Sequence, residues 1–344
     1  MAGIEDVARL AGVSTATVSR ALSGKDHVSA KSKAKVEAAA AELGYVASSS
    51  AYTLATGRTR NIGVVVPFVD RWFFSVILEA VESVLIERGY DLTLYNLSGG
   101  MDQRAKIFND FLLRKRVDGV LTVAVKLADS ELANLSHTRK PIIGIGGPIA
   151  GARTITIDDF NAGKLATEHL ISLGHTKIAH IGGLAPTEMD FKQPSLRRFG
   201  YEAALKAAGL PVRDTWFVPT DFTMAGAYHA GKQILGDPRN APTAIVCSSD
   251  EMGFGTIMAA KDLGLRVPQD VSIVGMDNHD QSEFFGLSTV SQNVRGQGKH
   301  AAEAILKILE DPVEGEPVNI ELNTEWPVEL IVRSSTARPA ATAR

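Results

Sequence analysis

From Asn61 onward the sequence alternates between short apolar runs and amphipathic windows with helical spacing, and this alternation restricts the fold more than any other feature. The runs IGVVVP (62–67), DLTLYNL (91–97), GVLTVAV (119–125) and PIIGI (141–145) are interrupted by helical windows at 73–88 and 103–115. The pattern resumes with TITID (154–158), KIAHIGG (177–183), WFVP (216–219), AIVCSS (244–249) and VSIVGMD (271–277). Helical windows at 161–173, 196–208, 224–235 and 251–263 separate these runs. A strand that is apolar along its whole length between helices is buried on both faces, as parallel strands are when helices cover both sides of a sheet. There are too many strands here for one comfortable sheet. The expected class is α/β, with doubly wound parallel sheets in two similar lobes and a seam near Asp158 to Asn161. One further helix in TVSQNVRGQGKHAAEAILKIL and short strands in VNIEL (318–322) and PVELIV (327–332) could serve either lobe, so the chain can cross between them more than once.

Residues 4–22, IEDVARLAGVSTATVSRAL, do not fit that regime. Ile4, Val7, Ala8 and Leu10 recur at helical spacing, and the period breaks at Ala11-Gly12-Val13. Gly12 suits a tight turn because it takes positive φ without a Cβ penalty. Ser14 is a natural N-cap for a second helix with Val18, Ala21 and Leu22 inside and Thr15, Ala16, Ser19 and Arg20 outside. A short helix with a buried rear, small polar residues and one Arg at its front suits the DNA major groove, so this segment reads as a helix-turn-helix. A third helix is expected in AKSKAKVEAAAAEL between Ser29 and Gly44, closing a small core of Ile4, Val7, Leu10, Val18, Leu22, Val36, Ala40 and Leu43. Residues 46–56, VASSSAYTLAT, have poor helix propensity and read as a linker that is marginal alone.

Charge divides the chain in the same place. Residues 1–60 hold eight Lys/Arg against five Asp/Glu, a net of +3, whereas the remaining 284 residues carry a net of −6. A basic small segment on an acidic large one fits a DNA-binding head on a body that does not touch DNA. No apolar run reaches the length of a membrane span and no cleavable leader opens the sequence, so a cytoplasmic protein with no membrane association is expected. The single cysteine, Cys247, sits in an apolar run and reads as a core residue. The glycine pairs in GIGGP (144–148) and HIGG (180–183) lack the spacing of a phosphate loop, and no His/Cys cluster has metal-ligand spacing. Neither a catalytic constellation nor a cofactor or metal is therefore expected.

The motifs DVARLAGVSTATVSRAL, VSAKSKAKVEAAAAELGY, LATGRTRNIGVVVP, EHLISLGHTKIAHIGG, RRFGYEAAL, VPQDVSIVGMD and STVSQNV follow one another in an order that resembles the lactose-repressor/galactose-repressor family of bacterial transcription regulators over residues 3–336. The resemblance implies a helix-turn-helix head (1–46), a hinge helix (47–58) and a two-lobe core shaped like a periplasmic sugar-binding protein. Its N-lobe would be 59–160 plus 291–322, its C-lobe 161–290 plus 323–336, with a frayed tail at 337–344. It implies a homodimer on a pseudo-palindromic operator with a central CG step, and a small-molecule effector, a sugar or nucleoside, between the lobes. The missing C-terminal heptads favour a dimer over a tetramer.

Carried over residue by residue, the resemblance makes Thr15, Ala16 and Arg20 base readers and Ser14, Thr17 and Ser19 phosphate contacts. Leu54 becomes the wedge that pries open the central step in the minor groove, although Ala47-Ser48 replaces the family's usual Pro-Asn at the start of the hinge. In the core, Arg197 and Asp277 would bind vicinal hydroxyls, Phe222 would pack a flat ligand face, and Phe73, Phe74 and Asn161 would contribute from the near side. Ser249 stands where sugar-binding relatives commonly carry Asn. Two other readings remain open: a global regulator whose co-effector is a phosphorylated protein, and a solute-binding protein without regulatory DNA function.

Overall fold

The computed structural model describes residues 2–22, 28–45, 53, 56–183, 193–311, 318–320 and 322–340. They form two compact units, Met1–Arg60 with Lys115–Asp118, and Asn61–Arg114 with Gly119–Arg344.

In the first unit three helices, α1 (Ile4–Ala11), α2 (Thr15–Leu22) and α3 (Ala30–Leu43), pack around Val7, Val18 and Val36, each with no exposed surface. Gly12 ends α1 with φ +66°, and its amide closes the turn onto Ala8 and Arg9. Ser29 caps α3 by accepting from the Ser32 amide at 3.2 Å. The expected core is right except at Leu10, which is 47% exposed. The buried stripe of α1 runs through Ile4, Val7, Ala8 and Ala11, and at about 100° per residue Leu10 falls roughly 110° from its centre. Where the linker ends, the Thr59 amide and hydroxyl and the Arg60 amide all donate to the Asp118 carboxylate at 2.8–3.0 Å.

The second unit is a pair of α/β lobes. The first lobe is built on a sheet ordered β11-β5-β4-β3-β1-β2, from β1 (Asn61–Val66), β2 (Asp91–Asn96), β3 (Gly119–Val123), β4 (Ile142–Ile145), β5 (Arg153–Ile157) and β11 (Leu322–Trp326). All its pairings are parallel. Helices α4 (Trp72–Glu87), α5 (Gly100–Asn109) and α6 (Asp129–His137) link its strands, and α11 (Val294–Glu310) returns to pack beside α4 over Ile62, Val64 and Leu121.

The second lobe's sheet runs β12-β10-β9-β8-β6-β7, from β6 (Ile178–Gly183), β7 (Phe217–Thr220), β8 (Ala244–Cys247), β9 (Ser272–Asp277), β10 (Ser288–Ser291) and the antiparallel β12 (Glu329–Ile331). Its strands show why they are apolar throughout. Ala244 and Val246 of β8 face one helix pair, α7 (Asp159–Ser172) and α8 (Gln193–Ala207), while Ile245 and Cys247 face the other, α9 (Met224–Leu235) and α10 (Asp250–Asp262). Burial also pushes the Cys247 thiol up to about 12, which keeps it an inert core residue. The chain passes between lobes at Ile157–Asp159, Ser291–Val294 and Trp326–Glu329.

Three elements depart from the sequence reading. The buried strand β10 is the polar tetrapeptide STVS, and α6 (DSELANLSH) carries little apolar signal, so neither announces itself. The strand expected at 318–322 lies instead at Leu322–Trp326, in register with Arg153–Ile157. The first lobe therefore extends past the expected boundary at 322, because Trp326 supplies the apolar surface that packs on its core. Among the described residues no helix is long and apolar enough to cross a membrane.

Candidate nucleic-acid interface and interlobe cleft

Helix α2 is held rigidly at its start. Ser14 Oγ accepts from the Thr17 amide at 3.1 Å and lies 2.9 Å from the Thr17 hydroxyl, which fixes both side chains in the first turn. Val18 and Ala21 are buried behind the helix, and Thr15, Ala16 and Arg20 are exposed in front, with Thr17 and Ser19 half-buried at the flanks. The front is therefore small, polar and ended by one guanidinium, on a helix whose rear is locked into the head's core. Leu54, Ala47 and Ser48 lie outside the described residues.

In the second unit the C-terminal ends of both sheets face each other. Arg71, just beyond β1, donates to the Asp221 carbonyl just beyond β7 at 2.8 Å. The Trp72 indole donates to Asp280, beyond β9, at 3.1 Å. Open α/β sheets bind ligands at such strand ends. The backbone there is unusual, because Ala124 (φ +48°), Phe222 (+60°), Asp277 (+120°) and Asn293 (+47°) all sit at or just past strand ends in the left-handed region. Such residues cluster at binding sites, where the fold overrides the local cost.

The wall on the second-lobe side is polar and buried. Helices α7 and α8 cross at backbone contact, since a Cβ on Gly163 would lie 2.1 Å from the Arg197 carbonyl oxygen and one on Gly200 2.0 Å from that of Phe160. This crossing brings Arg197, 2% exposed, onto Asp159, with Nε donating to Oδ1 at 2.8 Å. Arg197 Nη1 donates to the Ser248 carbonyl at 2.5 Å, and the buried Nη2 has no hydrogen-bond partner among the described residues. Burial raises the Asp159 carboxyl against the opposing pull of Arg197.

Asp277 is not Arg197's direct partner. Its Oδ1 accepts from Gln292 Nε2 at 2.5 Å, and burial, against the pull of Arg197, pushes its carboxyl up to about 8. Burial thus favours the protonated form of Asp277, which can both donate and accept. Beneath it Asp250, raised by burial to about 7, accepts from the His279 amide and the Ser282 and Thr289 hydroxyls at 2.7–2.8 Å and ties down the loop after β9.

The remaining candidates are dispersed. Phe73 and Phe74 meet edge to face with centroids 5.3 Å apart and are half-buried on the first-lobe core. The Phe222 ring lies against Gly183, which has no side chain to obstruct it. Ser249 is buried and caps α10, accepting from the Met252 amide at 3.2 Å. Asn161 is exposed in the first turn of α7. Sequence reasoning missed Asp159, Gln292, Arg71 and Trp72. Of these only Trp72 carried a local signal, as a tryptophan directly before Phe73-Phe74. Among the described residues no group of three His, Cys, Asp or Glu could hold a metal.

Comparison with known proteins places both units. Residues 3–48 match the profile of bacterial regulatory proteins of the lacI family, and residues 167–336 that of a periplasmic binding protein-like domain. The HTH-type transcriptional repressor PurR of Glaesserella parasuis is 35% identical, over 97% of this chain and 98% of its own length. The lac repressor dimer bound to operator and the anti-inducer ONPF aligns with a TM-score of 0.81 at 27% identity, over 98% of this chain and 99% of that one. The complex of the transcriptional regulator CelR with cellobiose aligns with a TM-score of 0.70 at 28% identity, over 97% and 100% of the two chains.

Proposed function

The chain belongs to the lacI family of bacterial regulatory proteins, and from that premise we propose that it is a cytoplasmic, homodimeric repressor that reads a pseudo-palindromic operator and is gated by a neutral sugar or nucleoside. It is a DNA-binding regulator, not an enzyme. In each half-site α2 lies in the major groove, where Arg20 forks onto a guanine edge and Ala16 and the Thr15 methyl meet thymine methyls. Ser14, Thr17 and Ser19 hold phosphates and set the register. Paired linkers place Leu54 at a central CG step, where partial unstacking costs a few kcal/mol and is offset by the contacts the bend allows.

The effector binds between the lobes on Arg197 and Asp277. The observation that carries this reading is Arg197 Nη2, a buried donor without a partner among the described residues, near a carboxyl that burial pushes toward its protonated form. A donor left unpaired in a dry site costs about 1–3 kcal/mol, which a ligand oxygen recovers. Cellobiose in the CelR complex supports a sugar. Phe222, Phe73 and Phe74 supply apolar ring contacts, with Ser249 and Asn161 at the margins. A coupling of about 1–3 kcal/mol between the two sites is enough to change operator occupancy.

The test has two arms. In vitro selection from random duplexes should return an inverted repeat with a central CG. A thermal-shift screen of pentoses, hexoses, disaccharides, sugar phosphates, nucleosides and purines should return a neutral ligand, because saturation at about 100 times Kd adds about 2.7 kcal/mol. A half-site without symmetry would overturn the dimer reading. Stabilisation by phosphorylated compounds alone would overturn the effector reading.

A further inference from the structure

Arg71 and Trp72 belong to the first lobe, as the N-cap and first residue of α4, yet their polar groups are spent on the second. Arg71 Nη1 reaches the Asp221 carbonyl at 2.8 Å. The Trp72 amide bonds the half-buried Glu251 in the first turn of α10, and Arg71 stands close enough to Glu251 to lower its pKa. Trp72 Nε1 donates to Asp280 at 3.1 Å, and the indole stacks on His279 with centroids 4.5 Å apart and planes 24° apart. Two consecutive residues thus engage three separate segments of the opposite lobe.

The receiving side is built in advance. The His279 amide donates to Asp250 at 2.8 Å, its ring lies edge-on to Phe254 at 5.2 Å, and its Nδ1 accepts from the Gln281 amide at 2.9 Å. That last bond leaves Nε2 as the protonated nitrogen of a neutral ring. The donor side is stiffened as well, since the Arg71 guanidinium lies 4.4 Å over the Phe68 ring. A stack and hydrogen bonds between two prepared surfaces lose little side-chain freedom when they form.

We propose that Arg71 and Trp72 form an interlobe latch that closes the lobes without any ligand and so sets the resting lobe angle. None of its hydrogen bonds or stacks uses Arg197 or Asp277, and a lobe angle measured without ligand tests the latch separately from the effector reading above. An effector that needs wider lobes must break it, and one that needs closed lobes finds the closure already made.

Cys247 is the protein's single cysteine and is buried, so spin labels can be placed elsewhere without interference. Labels at Ala133→Cys and Ala208→Cys, exposed positions on opposite lobes, report the lobe angle by double electron–electron resonance. Dilution with unlabelled protein leaves one labelled protomer per dimer. With no ligand added, wild type should give one short, narrow distance. Trp72→Ala should lower the closed-to-open ratio about tenfold, from loss of the stack and the indole hydrogen bond. Asp280→Ala, an exposed position that spares the fold, should shift the ratio the same way by less. A Trp72→Ala distribution that superimposes on wild type overturns the latch. If Trp72→Ala does not fold, unchanged distances in both Asp280→Ala and Arg71→Ala overturn it equally.

Discussion

Replacing Asp277 with Asn tests whether a neutral acid lines the cleft. The carboxyl is buried and held up to about 8, against an ordinary value of 3.8. Below pH 4 it is protonated in both the folded and unfolded chain and brings no penalty. As pH rises toward 8 the unfolded chain ionises while the folded one stays protonated, so native stability falls across that window. The slope is about 1.36 kcal/mol per pH unit, and over roughly four units the loss is at most on the order of 5 kcal/mol. Asn keeps the acceptor that Gln292 uses and cannot ionise. Asp277→Asn should therefore gain about 1 kcal/mol over wild type near pH 4.5 and several kcal/mol near pH 8. Urea unfolding of both proteins at pH 4.5, 6 and 8 measures this. A stability difference that does not change with pH would mean that Asp277 ionises normally in the fold, and the neutral-acid argument would be wrong.

Arg20→Ala should cost specific operator binding about 1–3 kcal/mol and relax base choice at one position per half-site, with equal losses on random DNA counting against base reading. Leu54→Ala should reduce the operator bend and the affinity together, and an unchanged bend in a circular-permutation gel assay removes the wedge. Asp159→Asn leaves Arg197 without its anionic partner, so calorimetry should show a loss of about 3–5 kcal/mol, and a loss under 1 kcal/mol would mean that Ser248 and solvent already satisfy the guanidinium.

What the sequence discloses depends on how local the physics is. The head is legible almost to the residue because its signals lie within a turn or two: Ser14 next to α2, Gly12 between the helices, and Val18 and Ala21 one helical step apart. Leu10 escaped because a residue at the edge of a stripe reads as apolar whether or not the third helix reaches it. In the core, strands buried on both faces stand out, while β10 hides because Ser288, Thr289 and Ser291 satisfy their hydroxyls on partners distant in sequence or by local turns. The candidate site is legible by residue and not by pairing. Arg197 and Asp277 were named, but Asp159 lies 38 residues from Arg197, and two glycines in different helices bring the pair together. Trp72 stood in plain view beside Phe73 and Phe74, yet its partners belong to the other lobe.

The pairing that sequence could not supply also bears on ligand charge. A single guanidinium, Arg197, lies between two buried carboxyls that it does not serve equally: it bonds Asp159 directly and acts on Asp277 only through space. Much of its hydrogen bonding is thus committed inside the lobe, and what it has left to offer is the Nη2 group with its two N–H donors. Near Arg197 stands Asp277, and close to Asp277 stand Asp250 and Glu251; all three are pushed up first by burial, Asp277 also by Asp250 and Glu251, and Glu251 also by Asp70. A phosphate arriving there would gain the Nη2 hydrogen bonds but meet acids that its own charge would drive further toward protonation. A hydroxyl pair, or the ring nitrogen and carbonyl of a heterocycle, can meet the Nη2 donors and the Asp277 carboxyl, which in its protonated form donates or accepts, without bringing a charge. On the proposed effector reading the wall would favour neutral compounds, because burial pushes toward protonation residues whose letters alone read as charged.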